Sequence, residues 1–208
     1  MLRLLGRANS SNVMKVIWLL EELGVPYGRE DYGGGFGKTQ TADYLAMNPN
    51  AVVPTLVDGG FALWESNAIL RYLAAKHAAG TAMWPADLQA RANIDRWMDW
   101  QQTTLGPPMT PVFWGIVRTA PEKRDWPAIH AAAEKCAKAY DLLDHVLSSQ
   151  DYVAGPSFTP ADIAIGVHAH RWVSFEGITR PAQPAVHAWY ARLMERPAFK
   201  AHIALPMT

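Results

Sequence analysis

The chain has 208 residues, half of which are apolar, and its 19 lysine and arginine residues equal its 19 aspartate and glutamate residues. This length and composition allow a substantial core in one or two domains and exclude a largely disordered chain. Because the formal net charge is zero, nothing draws the protein as a whole toward nucleic acid or an anionic membrane, and neither partner is expected.

The sequence shows no pattern typical of export, membrane insertion or thiol-based metal binding. No stretch approaches roughly 18 uninterrupted apolar residues, and no basic segment precedes an apolar core near Met1, so we expect a cytoplasmic protein. The single cysteine, Cys136, excludes an intrachain disulfide and lies on an apolar helix face, which predicts a buried thiol. His168 and His170 are two residues apart and point to different helix faces, so no metal site is expected.

The first elements in chain order are predicted to be a strand, a helix and a second strand. Residues 2–5 form a short apolar run that is typical of a buried strand. Helical spacing then follows, and Gly24 stands where this helix should end. The residues with that spacing are Val13, Val16, Ile17 and Leu20. A second strand is expected near 27–32, followed by a flexible connection and a short helix that begins near Tyr44.

A hairpin and a third helix complete this part of the chain. The apolar runs 55–57 and 61–63 flank Asp58-Gly59-Gly60, which favours a tight antiparallel turn. Helical spacing resumes after Ser66. The order βαβαββα therefore predicts a small layered α/β unit.

The rest of the chain is predicted to be all helical. Two stripes have helical spacing: Ile94, Trp97, Met98, Gln101 and Leu105, and Ile129, Ala133, Cys136, Tyr140 and Leu143. Thr159, Pro160 and Asp162 have the pattern of a capping box at a helix start, so Asp162 is interpreted as structural. Two further helices are expected over 184–194 and 197–202.

Polar residues follow the predicted strands at three points. Ser10, Ser11 and Asn12 precede the first helix, where they either cap the helix or take part in the chemistry of the site. Val53-Pro54 begins a strand, and a cis bond there would turn the backbone of Val53 outward to pair with an extended ligand. Glu65-Ser66 begins the third helix, where a carboxylate and an ammonium can both bind. We expect these three points to meet at one edge of the sheet.

The chain resembles the cytosolic glutathione transferase superfamily over essentially its whole length. The segments that carry the resemblance are "SSNVMKVIWLLEELGVPY", "NPNAVVPTLVDGG", "WESNAILRYLA", "FTPADIAIG" and "PAVHAWYARLMERPAF". The resemblance implies a thioredoxin-like domain over 1–80, an all-helical domain over 87–208, and a homodimer with active sites near the interface. It also implies glutathione as co-substrate and a role in detoxification.

Family roles transfer to particular residues of this chain. Pro54 resembles the cis-proline of the family, and Val53 the residue whose backbone pairs with the cysteinyl part of glutathione. The pair Glu65 and Ser66 resembles the residues that hold the γ-glutamyl group. Lys38 or Gln40 is expected to bind the glycine carboxylate. Val52 departs from the family pattern, in which lysine or glutamine is common at this position.

The thiol site resembles the serine-type, theta- or phi-like members of the family. The first tyrosine is Tyr27 and no cysteine is near the site, which argues against tyrosine- and cysteine-type enzymes. Ser10 is the first choice for the hydroxyl that stabilises the thiolate, and Ser11 and Asn12 are the alternatives.

The resemblance implies that the helical domain holds a small hydrophobic electrophile. The aromatic wall predicted for this pocket consists of Trp100, Phe113, Trp114 and Arg118. The expected activity is transfer of the glutathione thiolate to that electrophile. Two alternatives stay open: a glutathione-dependent reductase of small disulfides or peroxides, and a catalytically silent glutathione-binding protein.

Overall fold

The computed structural model describes residues 1–208 and contains one four-stranded sheet. The strands are β1 (Leu2–Leu5), β2 (Tyr27–Glu30), β3 (Thr55–Asp58) and β4 (Phe61–Trp64). The strand order is β2-β1-β3-β4, in which β2 runs parallel to β1 and the other neighbours are antiparallel. The predicted hairpin is confirmed, because Asp58 pairs with Phe61 across the Gly59-Gly60 turn.

Three helices accompany the sheet in the predicted order. They are α1 (Ser11–Leu23), α2 (Ala42–Met47) and α3 (Ser66–His77). Gly24 ends α1 in the left-handed region at φ 61°, as expected of a glycine at this position. Strand β2 is shorter than predicted, although the Arg7 N–H still donates to the Tyr32 carbonyl oxygen at 3.0 Å.

The second half is helical, as predicted. Its helices are α4 (Leu88–Trp100), α5 (Gly106–Phe113), α6 (Trp126–Leu147), α7 (Pro160–Ser174), α8 (Pro184–Glu195) and α9 (Pro197–His202). All residues of the two predicted apolar stripes are buried, including Gln101 and Cys136. No helix combines the length and apolar character needed to span a membrane.

Helices α4 and α5 belong to one interrupted helical rod. A π-helical segment joins them at Gln101–Leu105, and a second follows α5 at Trp114–Arg118. Pro107, Pro108 and Pro111 lack the N–H that a regular α-helix needs, so this stretch departs from regular geometry. The wider turns change the direction in which side chains leave the rod.

Helix α1 joins the sheet to the helical half. The buried ring of Trp18 lies 5.5 Å from the ring of Phe158 and 4.8 Å from that of Phe199, measured between centroids. Glu22 accepts hydrogen bonds from the Trp18 indole and from Arg196. These contacts fix the C-terminal half of α1 against the helical half of the chain.

The start of α7 confirms the predicted capping box. The Asp162 carboxylate accepts hydrogen bonds from the backbone N–H groups of Val153 and Thr159, both at 2.9 Å. It also accepts from the Thr159 hydroxyl and from the Trp189 indole. Asp162 is fully buried, and its place at the centre of this network agrees with the structural role predicted for it.

Candidate functional site

Ser10 lies at the turn between β1 and α1. It is the residue that immediately precedes α1, and its backbone carbonyl accepts from the Met14 N–H at 2.8 Å. Its side chain makes no capping hydrogen bond and is partly exposed. The hydroxyl is therefore uncommitted and stands at the positive end of a helix, where negative charge is stabilised.

Ser11 and Asn12 occupy different environments from Ser10. Ser11 is the first residue of α1 and is partly exposed. Asn12 is already engaged, because its amide oxygen accepts from the Ser66 hydroxyl at 3.2 Å. This bond ties the start of α1 to the start of α3.

The Val53–Pro54 peptide bond is cis. Neither the N–H nor the carbonyl of Val53 is hydrogen-bonded within the protein, whereas the Val52 carbonyl accepts from Tyr44 and Asn48. Val53 and Ser10 line a cleft of about 250 Å³, which we name the cis-proline cleft. Free backbone groups beside an open cleft are suited to pairing with an extended peptide.

Glu65 and Ser66 line a second opening, the polar cleft, of about 270 Å³. Glu65 has a φ of 68°, which is unusual for a residue with a side chain, and precedes α3. Its carboxylate is exposed and accepts from Gln102 at 3.3 Å. Ser11 and Asn12 line the same cleft, so the start of α1 faces the start of α3.

Lys38 and Gln40 do not line either of these clefts. Both are exposed, and the Lys38 ammonium lies 5.2 Å from the centroid of the Tyr32 ring. Thr39, between them, lines the cis-proline cleft instead. Val52 also lines this cleft, at the position where the family pattern has a longer side chain.

A third opening, the aromatic cleft, encloses about 430 Å³ between the two halves of the chain. Phe113, Trp114 and Arg118 line it together with Ser10 and Ser11, so three of the four residues predicted for this wall are present. The fourth, Trp100, does not line the cleft, because its ring packs edge-on against Trp97 at 5.2 Å.

Family models match both halves of the chain. The glutathione S-transferase N-terminal domain matches residues 1–75, and the glutathione S-transferase C-terminal domain matches residues 105–197. Glutathione S-transferase GstB of Escherichia coli is 40% identical over 100% of both chains. Glutathione S-transferase 3 of Zea mays is 34% identical over 98% of this chain and 93% of its own length.

A solved structure agrees with these sequence matches. The theta-class glutathione S-transferase of Xanthomonas axonopodis pv. citri, crystallised with glutathione bound, superposes with a TM-score of 0.94. It is 43% identical, and the alignment covers 100% of this chain and 99% of that one. The chain belongs to the glutathione S-transferase family.

Buried polar residues beneath the clefts of this transferase were not predicted from sequence. The Lys15 ammonium donates to Gln101 at 2.7 Å and to Asn67 at 3.4 Å. Burial lowers the pKa of Lys15 to about 7, and it lowers the pKa of His168 well below its usual range. In the sequence, Lys15 lies within a helix that has an apolar pattern, and this pattern does not indicate that the lysine is buried. Its ammonium is inside only because α1 packs against α3 and the α4–α5 rod.

Two arginines of the aromatic cleft were also missed. Arg7 follows β1 and Arg171 lies on α7, and both line the cleft with Arg118. In the sequence, Arg7 lies in the same loop as Ser10, which was a usable indication. Nothing local in "HAHRWV" indicates that Arg171 faces this opening.

Proposed function

We propose that this transferase binds glutathione across the polar and cis-proline clefts and transfers its thiolate to a small electrophile in the aromatic cleft. The observation that carries the proposal is the position of Ser10. Its hydroxyl is the only one that lines both the cis-proline cleft and the aromatic cleft, and it is not used as a cap. Sulfur placed beside Ser10 would therefore face the acceptor.

The site residues support one orientation of the tripeptide. The γ-glutamyl group would bind at Glu65 and Ser66, where a carboxylate and a helix N-terminus lie together. The free backbone of Val53 would pair with the cysteinyl residue. The glycine end would then point toward Thr39 and away from α3.

The chemistry requires a thiolate at neutral pH. A free thiol has a pKa near 8.5, so each unit of depression corresponds to about 1.4 kcal/mol of thiolate stabilisation. The Ser10 hydroxyl and the N-terminus of α1 would provide it, while the thiol proton passes to solvent. The sulfur then forms a bond to the electrophilic carbon, and the leaving group departs with the electrons of the broken bond. Holding both reactants in adjoining clefts supplies the remaining acceleration.

Separate Ser10→Ala and Ser11→Ala variants test this assignment. We expect Ser10→Ala to raise the pKa of bound glutathione by about one unit and to lower kcat/KM for 1-chloro-2,4-dinitrobenzene roughly ten-fold or more. Ultraviolet absorbance of the thiolate gives the pKa, and calorimetry gives the glutathione Kd. Ser11→Ala is the matched control, because it removes the neighbouring hydroxyl. If Ser11→Ala changes the pKa and Ser10→Ala does not, the assignment is wrong by one residue.

The same preparation distinguishes the transferase from its alternatives. Activity with hydroxyethyl disulfide and none with the chlorinated acceptor would contradict the transferase proposal and favour a reductase. Tight glutathione binding without a thiolate signal near neutral pH would favour a silent binding protein. Conjugation with a lowered thiol pKa supports the proposal.

We also propose that two copies associate through the edge of the sheet. Strand β4 is an edge strand, and it exposes 49% of Phe61 and 36% of Trp64. Light scattering of a Phe61→Asp variant should show monomers. Leu142→Asp is the control, because Leu142 is equally exposed on α6. Monomers in the wild type would contradict the proposal.

The boundary between the two domains is proposed to lie between residues 80 and 87. Helix α3 ends at His77 and α4 begins at Leu88, and the intervening residues form one isolated bridge, Ala79 to Trp84. All four strands precede this stretch.

A further inference from the structure

Three arginines from separate parts of the chain line the aromatic cleft. Arg7 comes from the loop after β1, Arg118 from the π-helical segment after α5, and Arg171 from α7. No aspartate or glutamate lines this cleft. We name these three residues the arginine triad. The triad gives the cleft a positive charge although the chain as a whole is neutral.

The guanidinium groups of the triad have no partners within the protein. None of the three donates a hydrogen bond to a protein acceptor or forms an ion pair. With the exception of Arg96, which is exposed as Arg118 is, every other arginine of the chain donates at least one such bond. The unused donors are therefore concentrated at one opening.

Phe113 orients two members of the triad. The Arg171 guanidinium carbon lies 3.8 Å from the centroid of the Phe113 ring, and that of Arg118 lies 5.6 Å away. Stacking on an aromatic face restrains a guanidinium and leaves its N–H edge free to donate. Phe113 is buried, so this platform is fixed by the core.

The charges of the triad act on one another. Burial, together with the charges of Arg118 and Arg7, lowers the pKa of Arg171 to about 10. Burial and the Arg118 charge also lower the pKa of Arg7. At neutral pH Arg171 still carries its proton, so like charges are held together without a counterion. A bound anion would remove this repulsion.

We propose that the acceptor of this transferase carries a carboxylate, which Arg118 and Arg171 bind in the aromatic cleft with Arg7 beside them. The inference rests on the proposed function and names its substrate class as a small anionic electrophile with an apolar body. A thiolate and an anionic acceptor repel each other, and the triad offsets that repulsion at the point where they meet. Phe113 and Trp114 would pack against the apolar body.

Glutathione itself carries two carboxylates, one on the glycine and one on the γ-glutamyl residue, and both are competing occupants. Arg7 lines both the aromatic and the cis-proline cleft, so it lies within reach of either the acceptor or the glycine carboxylate. Arg118 lines neither the cis-proline cleft nor the polar cleft, whereas Arg171 lines the polar cleft as well as the aromatic one. Arg118 is therefore the member of the triad that favours the acceptor over both carboxylates of glutathione.

A matched pair of acceptors tests the proposal. The pair is 4-chloro-3,5-dinitrobenzoate and its methyl ester, which differ in charge but share the ring and the leaving group. In each reaction the thiolate sulfur forms a bond to the ring carbon, and chloride departs with the electrons of the carbon–chlorine bond. Each kcat/KM is divided by the rate constant of free glutathione with the same acceptor, because the ester is intrinsically more reactive. The quotient of these two enhancements, carboxylate over ester, is the charge preference.

We expect the wild-type charge preference to be about ten-fold or more, and Arg118→Gln to reduce it roughly ten-fold. Both acceptors react with the same bound thiolate, so a change in the thiol pKa cancels in this quotient. Lys138→Gln is the control, because it removes one positive charge from the exposed face of α6. Added salt should reduce the preference in the wild type. A preference near one in the wild type overturns the proposal.

Calorimetry with the two conjugation products keeps the test independent of turnover. The wild type should bind the carboxylate conjugate more tightly than the methyl ester conjugate, and Arg118→Gln should lose that difference. If neither acceptor is conjugated but this binding difference is present, the proposed transfer fails and the anion site stands. If both acceptors are conjugated without preference, the transfer stands and the anion site fails. If the only effect of Arg118→Gln is a higher KM for glutathione, the inference is also overturned. The arginine would then be assigned to glutathione and not to the acceptor.

Discussion

Asp162 and the arginine triad are two sets of charged side chains that differ in burial and in hydrogen bonding. The Asp162 carboxylate is fully buried and accepts four hydrogen bonds, from Val153, Thr159 twice, and Trp189. The triad of Arg7, Arg118 and Arg171 lies at a cleft and has no protein partner. The first charge is satisfied by the fold, and the second is available to a ligand.

This difference separates structural from functional charge. A buried charge that has every partner holds segments together, and its removal leaves donors unsatisfied. A charge that the fold leaves unpaired contributes repulsion to the folded state. We therefore expect loss of Asp162 to damage stability, and loss of a triad arginine to damage binding.

The largest effect is expected for Asp162→Asn. The asparagine amide would present N–H donors toward groups that are themselves donors, so we expect a loss of about 3–5 kcal/mol in the free energy of unfolding. Urea unfolding at pH 8 measures it, because burial raises the pKa of Asp162 to about 6 and the carboxylate is charged there. Asp151→Asn is the control, because Asp151 has an exposed carboxylate. A loss below about 1 kcal/mol would show that the network does not depend on the charge.

The sequence predicted those parts of the site that depend on local rules. Ser10, Val53-Pro54 and Glu65-Ser66 stand at strand ends and helix starts, and the structure brings these segments to one edge of the sheet. Helix caps and turns are set by neighbouring residues, so periodicity and glycine positions indicated these segments, and the resemblance to the family suggested their roles. The order of the four strands along the chain was predicted for the same reason.

The parts that sequence missed depend on packing between distant segments. Arg171 reaches the cleft only because α7 packs against α1 and the α4–α5 rod. Trp100 has an aromatic side chain suitable for the wall, but it contacts Trp97 instead, and the π-helical segment follows directly after it. A helical stripe indicates which residues share a helix face, but it does not indicate which element that face packs against. Lys38 and Gln40 were carried over from the resemblance to the family, and the structure places Thr39, between them, at the cleft instead.

Lys15 extends the comparison to a buried cation that has only neutral partners. Burial and the nearby charge of Arg171 lower the pKa of Lys15 to about 7, whereas Glu65 acts in the opposite direction. The unfolded chain, with a lysine pKa near 10.4, binds more protons than the folded chain above pH 7. The stability of the wild type should therefore rise with pH across this range.

We expect Lys15→Met to reduce this rise by roughly 1–2 kcal/mol between pH 7 and 8.5. Urea unfolding of both proteins at several pH values measures the difference. This pH range begins above the pH at which His168 titrates, because burial lowers the pKa of His168. It ends where the unfolded thiol of Cys136 begins to titrate, because burial raises the folded pKa of that thiol to about 12. Parallel slopes in the two proteins would contradict the prediction.

A smaller effect is expected for Glu65→Gln, which tests the ligand side of the comparison. The carboxylate of Glu65 is exposed and has one neutral partner, Gln102, so it remains free to bind an ammonium. We expect the glutathione Kd to rise roughly five- to ten-fold, with little change in the free energy of unfolding.

An analogue without the ammonium makes this test specific. Glutaryl-cysteinylglycine should bind the wild type and Glu65→Gln with similar affinity, because the missing group is the one that Glu65 is proposed to bind. Glu122→Gln, at an exposed position that lines none of the three clefts, is the control variant. Equal weakening of glutathione and the analogue would show that Glu65 acts on the shape of the loop and not on the ammonium.

The smallest effect on stability is expected for Arg118→Gln, and it is the direct counterpart of Asp162→Asn. Because Arg118 has no partner and lies near Arg171 and Arg7, its removal breaks no bond and relieves repulsion. The free energy of unfolding should change by less than about 0.5 kcal/mol at low ionic strength.

Sulfate should raise the Tm of the wild type more than that of Arg118→Gln, since an anion that binds only the folded state stabilises it. Lys138→Gln, with the same change in net charge, should respond to sulfate as the wild type does. A loss above about 1 kcal/mol in Arg118→Gln would mean that Arg118 supports the fold, and the contrast with Asp162 would fail.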